Sequence, residues 1–167
     1  SDLLNLLTFS PFNHSPSMPQ PNFIAILIAT LIPMIIGFIY YHPKVMGKAW
    51  MQSLGIAEES LKKGNMAIIL GVSLLMSFML SFFLLINVDG PGQEGPIGQF
   101  DTFKHGAFHG FLISLTVAMP VLVTNGLFER KNAKNLIINV IYWMITISLM
   151  AGVIDAMNHW PNDMPTV

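Results

Sequence analysis

Apolar residues fall in four long, nearly unbroken runs separated by shorter polar stretches. They extend from Phe23 to Tyr41, from Met66 to Ile86, from about Gly106 to Phe128 and from about Asn135 to Met157. Each is close to the ~20 residues a helix needs to cross a hydrocarbon core of ~30 Å. No segment alternates with period two, as the strands of a membrane barrel do. The pattern predicts an all-α fold, a four-transmembrane-helix bundle.

The polar stretches carry structure of their own. After Pro43, Val45, Met46, Ala49, Trp50 and Leu54 recur at helical spacing, Lys44, Lys48 and Gln52 fall elsewhere, and Gly55 suits a helix end. This predicts a short interfacial amphipathic helix between helices 1 and 2, with Trp50 and the Tyr40–Tyr41 pair at headgroup level. A second helical piece is expected from Ala57 to Lys63, ending at Gly64. Ahead of the first run, Leu3, Leu4, Leu6, Leu7 and Phe9 form an interfacial foot or docking strip, and Pro16, Pro19 and Pro21 keep the following chain extended. The domain organisation is an exterior N-terminal arm (residues 1–21), a four-helix membrane domain (22–160) and an exterior C-terminal tail (161–167).

Within the runs, small residues recur along one face: Ala25, Ala29 and Gly37; Ser73, Ser77 and Ser81; Gly106, Gly110, Ser114 and Ala118; Ser148, Gly152 and Ala156. Such stripes let helix backbones approach where lipid removes the ordinary hydrophobic force. A tight bundle without a wide aqueous pore follows. Pro33 and Pro120 each delete a backbone hydrogen bond and should kink their helices.

Composition agrees with a membrane protein, since 53% of residues are hydrophobic and only 10% charged, against about a quarter charged in soluble chains. The net charge of -1 gives no basis for nucleic-acid binding. The absence of cysteine excludes disulfides and thiolate metal sites. Positive charge sets the expected orientation. Lys44, Lys48, Lys62 and Lys63 lie in the first loop and Arg130, Lys131 and Lys134 in the third, whereas the second loop has only Lys104. Loops one and three then face the cytoplasm and both termini are exterior or periplasmic, in an inner or plasma membrane. The second loop, with Asp89 and Glu94 among Gly and Pro, reads as a solvated exterior turn.

Ionisable groups concentrate at one place. Asp101, His105 and His109 are spaced four apart at the mouth of the third run, and Asp155 and His159 close the fourth at the same spacing. Residues four apart share a helix face, and helices joined by a short loop are antiparallel neighbours, so the two groups should meet at one level. Ionisable side chains at membrane depth are functional candidates. Three readings apply: a divalent metal such as zinc held by His105, His109, Asp155, His159 and Asp101; a haem gripped by His109 and His159; or Asp155 bonding His109 or nearby backbone to pin the helix pair. The last needs no cofactor, and it leads. There is no His-Glu-x-x-His and no visible nucleophile–base pair, so a non-catalytic protein is expected. Asn125, Asn135 and Asn139 read as interhelical amide bonds, the twelve methionines as apolar filler, and Tyr142 and Trp143, too deep for a surface belt, as packing.

The run Gly37-Phe-Ile-Tyr-Tyr-His-Pro43, followed by Gly47-Lys-Ala-Trp-Met51 and Leu54-Gly55, resembles the opening of a bacterial membrane family, domain of unknown function 1761. The likeness continues in His109-Gly110, Phe128-Glu129-Arg130, Tyr142 and Gly152, covering roughly residues 22 to 157. His42 stands where the family more often shows Ser. The resemblance implies a four-helix membrane protein and no functional residues. The expected role is an accessory or scaffolding component of a membrane assembly, in contact with lipids and with other subunits or its own copies. The alternative is a small carrier or sensor that uses the His/Asp cluster for a metal ion or a proton.

Overall fold

The computed structural model describes residues 21–57, 64–88 and 100–159. The N-terminal foot, the piece expected over Ala57 to Lys63 apart from its first residue, the acidic part of the second loop and the C-terminal tail lie outside the described residues. Helix α1 spans Phe23–Tyr40, and a π-helical turn at Pro43–Gly47 leads into α2, Lys48–Leu54. Helix α3 spans Met66–Val88. The third run is α4 (Phe103–Ile113), a π-helical turn (Ser114–Ala118) and α5 (Met119–Phe128), and the fourth is α6 (Ala133–Met157). Four helical segments, Phe23–Tyr40, Met66–Val88, Phe103–Phe128 and Ala133–Met157, are long and apolar enough to cross a membrane.

The ends follow local chemistry. Asn22 caps α1, its side-chain oxygen accepting from the N–H groups of Ile24 and Ala25, and Asn132 caps α6 through the N–H of Asn135. Helix α4 starts three residues before the expected Gly106, because Thr102 caps it, its hydroxyl accepting from the N–H of His105. Gly55 ends α2 with φ 65°, the left-handed conformation glycine adopts without strain. Gly47 is fixed by crowding: a Cβ there would strike the Tyr41 carbonyl oxygen and the His42 backbone.

Helix α6 is the hub, packing against α1, α3, α4 and α5. Ile26 and Ala29 of α1, Leu84, Leu85 and Val88 of α3, and Ile147, Met150, Ala151 and Ile154 of α6 form the main apolar core. Hydroxyls join α1 to α3, where Thr30 Oγ1 and Ser81 Oγ lie 3.2 Å apart. Ala25, Ala29, Ser77, Ser81, Gly106, Gly110, Ser114 and Gly152 of the small-residue stripes are buried within the bundle, whereas Ser73 is exposed. The third run packs mainly on α6 and is the least covered: 11% of its most apolar stretch is buried, against 44% in α6.

Tyr40 and Tyr41 bond across to α6: Tyr40 donates to the Ile138 carbonyl at 3.1 Å and Tyr41 to Asn139 Oδ1 at 2.8 Å. Tyr142 donates in turn to the carbonyl of Pro33 at 2.7 Å, inside α1. The bundle is not uniformly tight. It closes where α4 meets the end of α6, and opens at the other end, where every residue of Met66 to Met76 except Leu70 is exposed. Pro120 is separated from the π-helical turn by Met119, whose N–H reaches back to the Ser114 carbonyl. The wider turn accommodates a ring that would otherwise meet the carbonyl four residues earlier.

A histidine–aspartate triad at one end of the bundle

Close approach of α4 to α6 sets the site. A Cβ on Gly106 would strike Asp155 Cβ and lie 2.5 Å from the Ala151 carbonyl oxygen, and one on Gly110 would lie 2.6 Å from the Ile147 carbonyl oxygen and 2.7 Å from Ala151 Cβ. On α6, Gly152 gives the Phe103 ring its place, with a Cβ position 2.8 Å from Cε2. These three glycines bring the helices to backbone contact. Asp155 is thereby wholly buried, and His105, one turn into α4, reaches it.

His105 Nδ1 and Asp155 Oδ2 are 3.1 Å apart, and His105 Nε2 and His109 Nε2 are also 3.1 Å apart. The three side chains form a chain from a buried carboxylate to a half-buried imidazole. The rings of His105 and His109 meet edge-on at 4.4 Å between centroids, with Phe100 beside the first and Phe108 beside the second. Asp155 Oδ1 has no hydrogen-bond partner among the described residues. The backbone N–H groups of Thr102 and Gly106 face the carboxylate, but they are already donated to the carbonyls of Phe100 and Thr102.

Asp101 and His159 form a separate pair, Nδ1 to Oδ2 2.9 Å. The spacing-based expectation placed Asp101 on the face of His105 and His109, and His159 on the face of Asp155. Neither is on its helix: α4 starts at Phe103 and α6 ends at Met157, capped by an extended Asn158. The five residues thus divide into a triad and a pair. Asp155 bonds His105 instead of His109, and His109 and His159 are each bonded elsewhere. Among the described residues, no group of three or more His, Asp or Glu side chains is arranged to hold a metal ion.

An amide staple that the sequence reading did not single out completes this end. The Asn22 N–H donates to Asn158 Oδ1 and the Asn22 side chain to the Met157 carbonyl, each at 2.7 Å, fixing the start of α1 to the end of α6. Asn22 carries a visible signal, a capping residue directly before an apolar run. Asn158 carries none, because its partner lies 136 residues away. At the opposite end, Asn132 and Asn135 bond the backbone carbonyl and hydroxyl of Ser53, docking α2 on α6, and Asn139 bonds Asn135.

The triad's bonds restrict its protons. A hydrogen bond between two Nε2 atoms requires hydrogen on one and not the other. With His105 neutral and donating to Asp155 through Nδ1, its Nε2 accepts from His109, whose Nδ1 is then bare. A proton arriving at His109 Nδ1 releases the Nε2 proton to His105, giving an imidazolium beside the carboxylate. One further transfer places a proton on Asp155. Each step uses only bonds already present.

The family model described as "Protein of unknown function (DUF1761)" matches residues 24–154, which include His105 and His109 and stop one residue short of Asp155. No curated protein and no solved structure matches the chain. With well over half its length matched and four membrane-length helices in place, the chain belongs to the DUF1761 family.

Proposed function

We propose that this protein is a proton-responsive membrane protein, in which the Asp155–His105–His109 triad takes up a proton at its end of the bundle and thereby governs how the third helical run packs on α6. One observation carries the reading: a wholly buried carboxylate with an unpartnered oxygen is linked through two imidazoles to the half-buried ring of His109. A buried carboxylate is costly unless paired or protonated, and the triad supplies both solutions. Histidine is the side chain whose ordinary titration lies in the physiological range.

A sensor accounts for the surroundings better than a conduit. The next hydroxyls along the same interface, Ser114 and Ser148, donate to the carbonyls of Phe111 and Met144 on their own helices. The apolar side chains of Ile147, Met150 and Leu84 fill the interior at that level. The proton enters and leaves from the same side. Its charge acts where it matters, since α6 is the main support of the third run. A metal ion would have to displace bonds that already occupy both nitrogens of His105.

The absence of cysteine makes the test direct. Spin labels on Ile24→Cys and Phe108→Cys, both exposed positions, report the distance between α1 and α4 in reconstituted protein. The expected result is a pH-dependent change in the distance distribution that Asp155→Asn abolishes. A distribution unchanged across the range in which histidine titrates refutes the proposal.

A further inference from the structure

The open end of the bundle holds a second feature with no part in the triad. A cavity of about 730 Å³ lies between α1, α3 and α6, within the range of small-ligand sites. Met34, Phe38, Leu70, Met76 and Trp143 make its lining mostly apolar, with the Tyr142 ring at α6. It exists because α3 is held to α1 by Ser81 and Thr30 near mid-helix and leaves the bundle toward its start. All three of its walls are membrane-length helices, a setting that places the cleft beside hydrocarbon in a bilayer.

The mouth has different chemistry. His42 and Pro43 reach the cavity, Lys44 follows directly, and Lys48 lies one turn further on. His42 Nδ1 accepts from the Lys44 N–H at 3.2 Å, so in the neutral ring the hydrogen sits on Nε2, a donor. Lys44 and Lys48 are both exposed, and Arg130 and Lys134 lie at the same end of the bundle. Apolar walls under a cationic, hydrogen-bond-donating rim match both halves of an anionic amphiphile.

From this juxtaposition we infer that the cleft is a binding site for an anionic phospholipid, with an acyl chain between α1 and α3 and the phosphate held by Lys44, Lys48 and the Nε2–H of His42. The ring of Trp143 lies against the bound chain. Charge complementarity selects this occupant over a zwitterionic lipid, since basic residues near an anionic headgroup each contribute about fivefold in affinity.

Of the three tryptophans, Trp50 and Trp160 are replaced by Phe, leaving Trp143 as the sole emitter. The protein is reconstituted in phosphatidylcholine vesicles containing a minor share of phosphatidylglycerol or phosphatidylcholine with brominated acyl chains. Brominated phosphatidylglycerol should quench Trp143 several-fold more strongly than brominated phosphatidylcholine at equal share. Lys44→Gln and Lys48→Gln should each reduce that preference about fivefold without altering quenching by the zwitterionic lipid. Ser73→Phe and, separately, Leu70→Phe fill the cleft from α3 and should remove the preference. Equal quenching by the two lipids, a preference indifferent to both lysines, or one that survives both filling variants overturns the inference.

Discussion

Replacing Gly106 by alanine adds one methyl group where α4 and α6 touch backbone to backbone. That methyl would strike Asp155 Cβ and sit 2.5 Å from the Ala151 carbonyl oxygen, whereas ordinary contact begins at 3.4 Å. Because the obstacle is backbone, relief comes from retreat of one helix, by the difference of about 0.9 Å. The same retreat lengthens the His105–Asp155 contact from 3.1 Å to about 4 Å, outside hydrogen-bonding range. Overpacking of this kind costs ~1–3 kcal/mol, and contact with main chain places Gly106→Ala toward the upper part of that range. Gly71→Ala is the control, since a Cβ there meets nothing within 4 Å. Unfolding of both variants by denaturing detergent, followed by helix circular dichroism, measures the difference. Gly71→Ala should be neutral or slightly stabilising, and Gly106→Ala should lose both stability and the proposed pH-dependent motion of the third run. If the two variants unfold together and respond alike to pH, the backbone contact described for α4 and α6 is refuted.

Three further outcomes follow from other contacts. Asn22→Ala removes the cap of α1 and the side-chain bond to the Met157 carbonyl while keeping the backbone N–H bond to Asn158, and should cost at least the ~1 kcal/mol of an ordinary cap in the same unfolding assay. Arg130 holds φ 57° in the α5–α6 turn, so Arg130→Gly should be neutral or stabilising by up to ~1 kcal/mol; clear destabilisation would contradict a strained turn. Burial, aided by the neighbouring phenols Tyr142 and Tyr40, raises Tyr41 above its ordinary value. A raised value means the neutral phenol stabilises the fold fully below pH ~10, and that contribution is lost as the pH climbs further. Tyr41→Phe should therefore flatten the alkaline arm of the stability profile.

Much of this fold is legible in one dimension because membrane helices are specified locally. Runs of about twenty apolar residues marked all four long segments, and Gly55 marked the end of α2. The third segment starts earlier than hydropathy suggests because Thr102 is a cap, a signal carried by one hydroxyl. The candidate site was legible as residue types and level but not as pairing. Spacing of four predicts a shared face only where the helix continues, and Asp101 and His159 fall beyond the helix ends. The inward turn of Tyr40 and Tyr41 depends on acceptors about 98 residues away, which no local pattern encodes.

His105, His109 and Asp155 are proposed to bind protons as one unit. Nitrogen-15 magnetic resonance of histidine-labelled protein, recorded against pH, tests it most directly. Two imidazoles that share a hydrogen bond should titrate in coupled macroscopic steps, with a through-bond coupling between the two Nε2 atoms, and Asp155→Asn should alter both rings together. Two rings that titrate independently, show no such coupling and ignore the Asp155 replacement would contradict it.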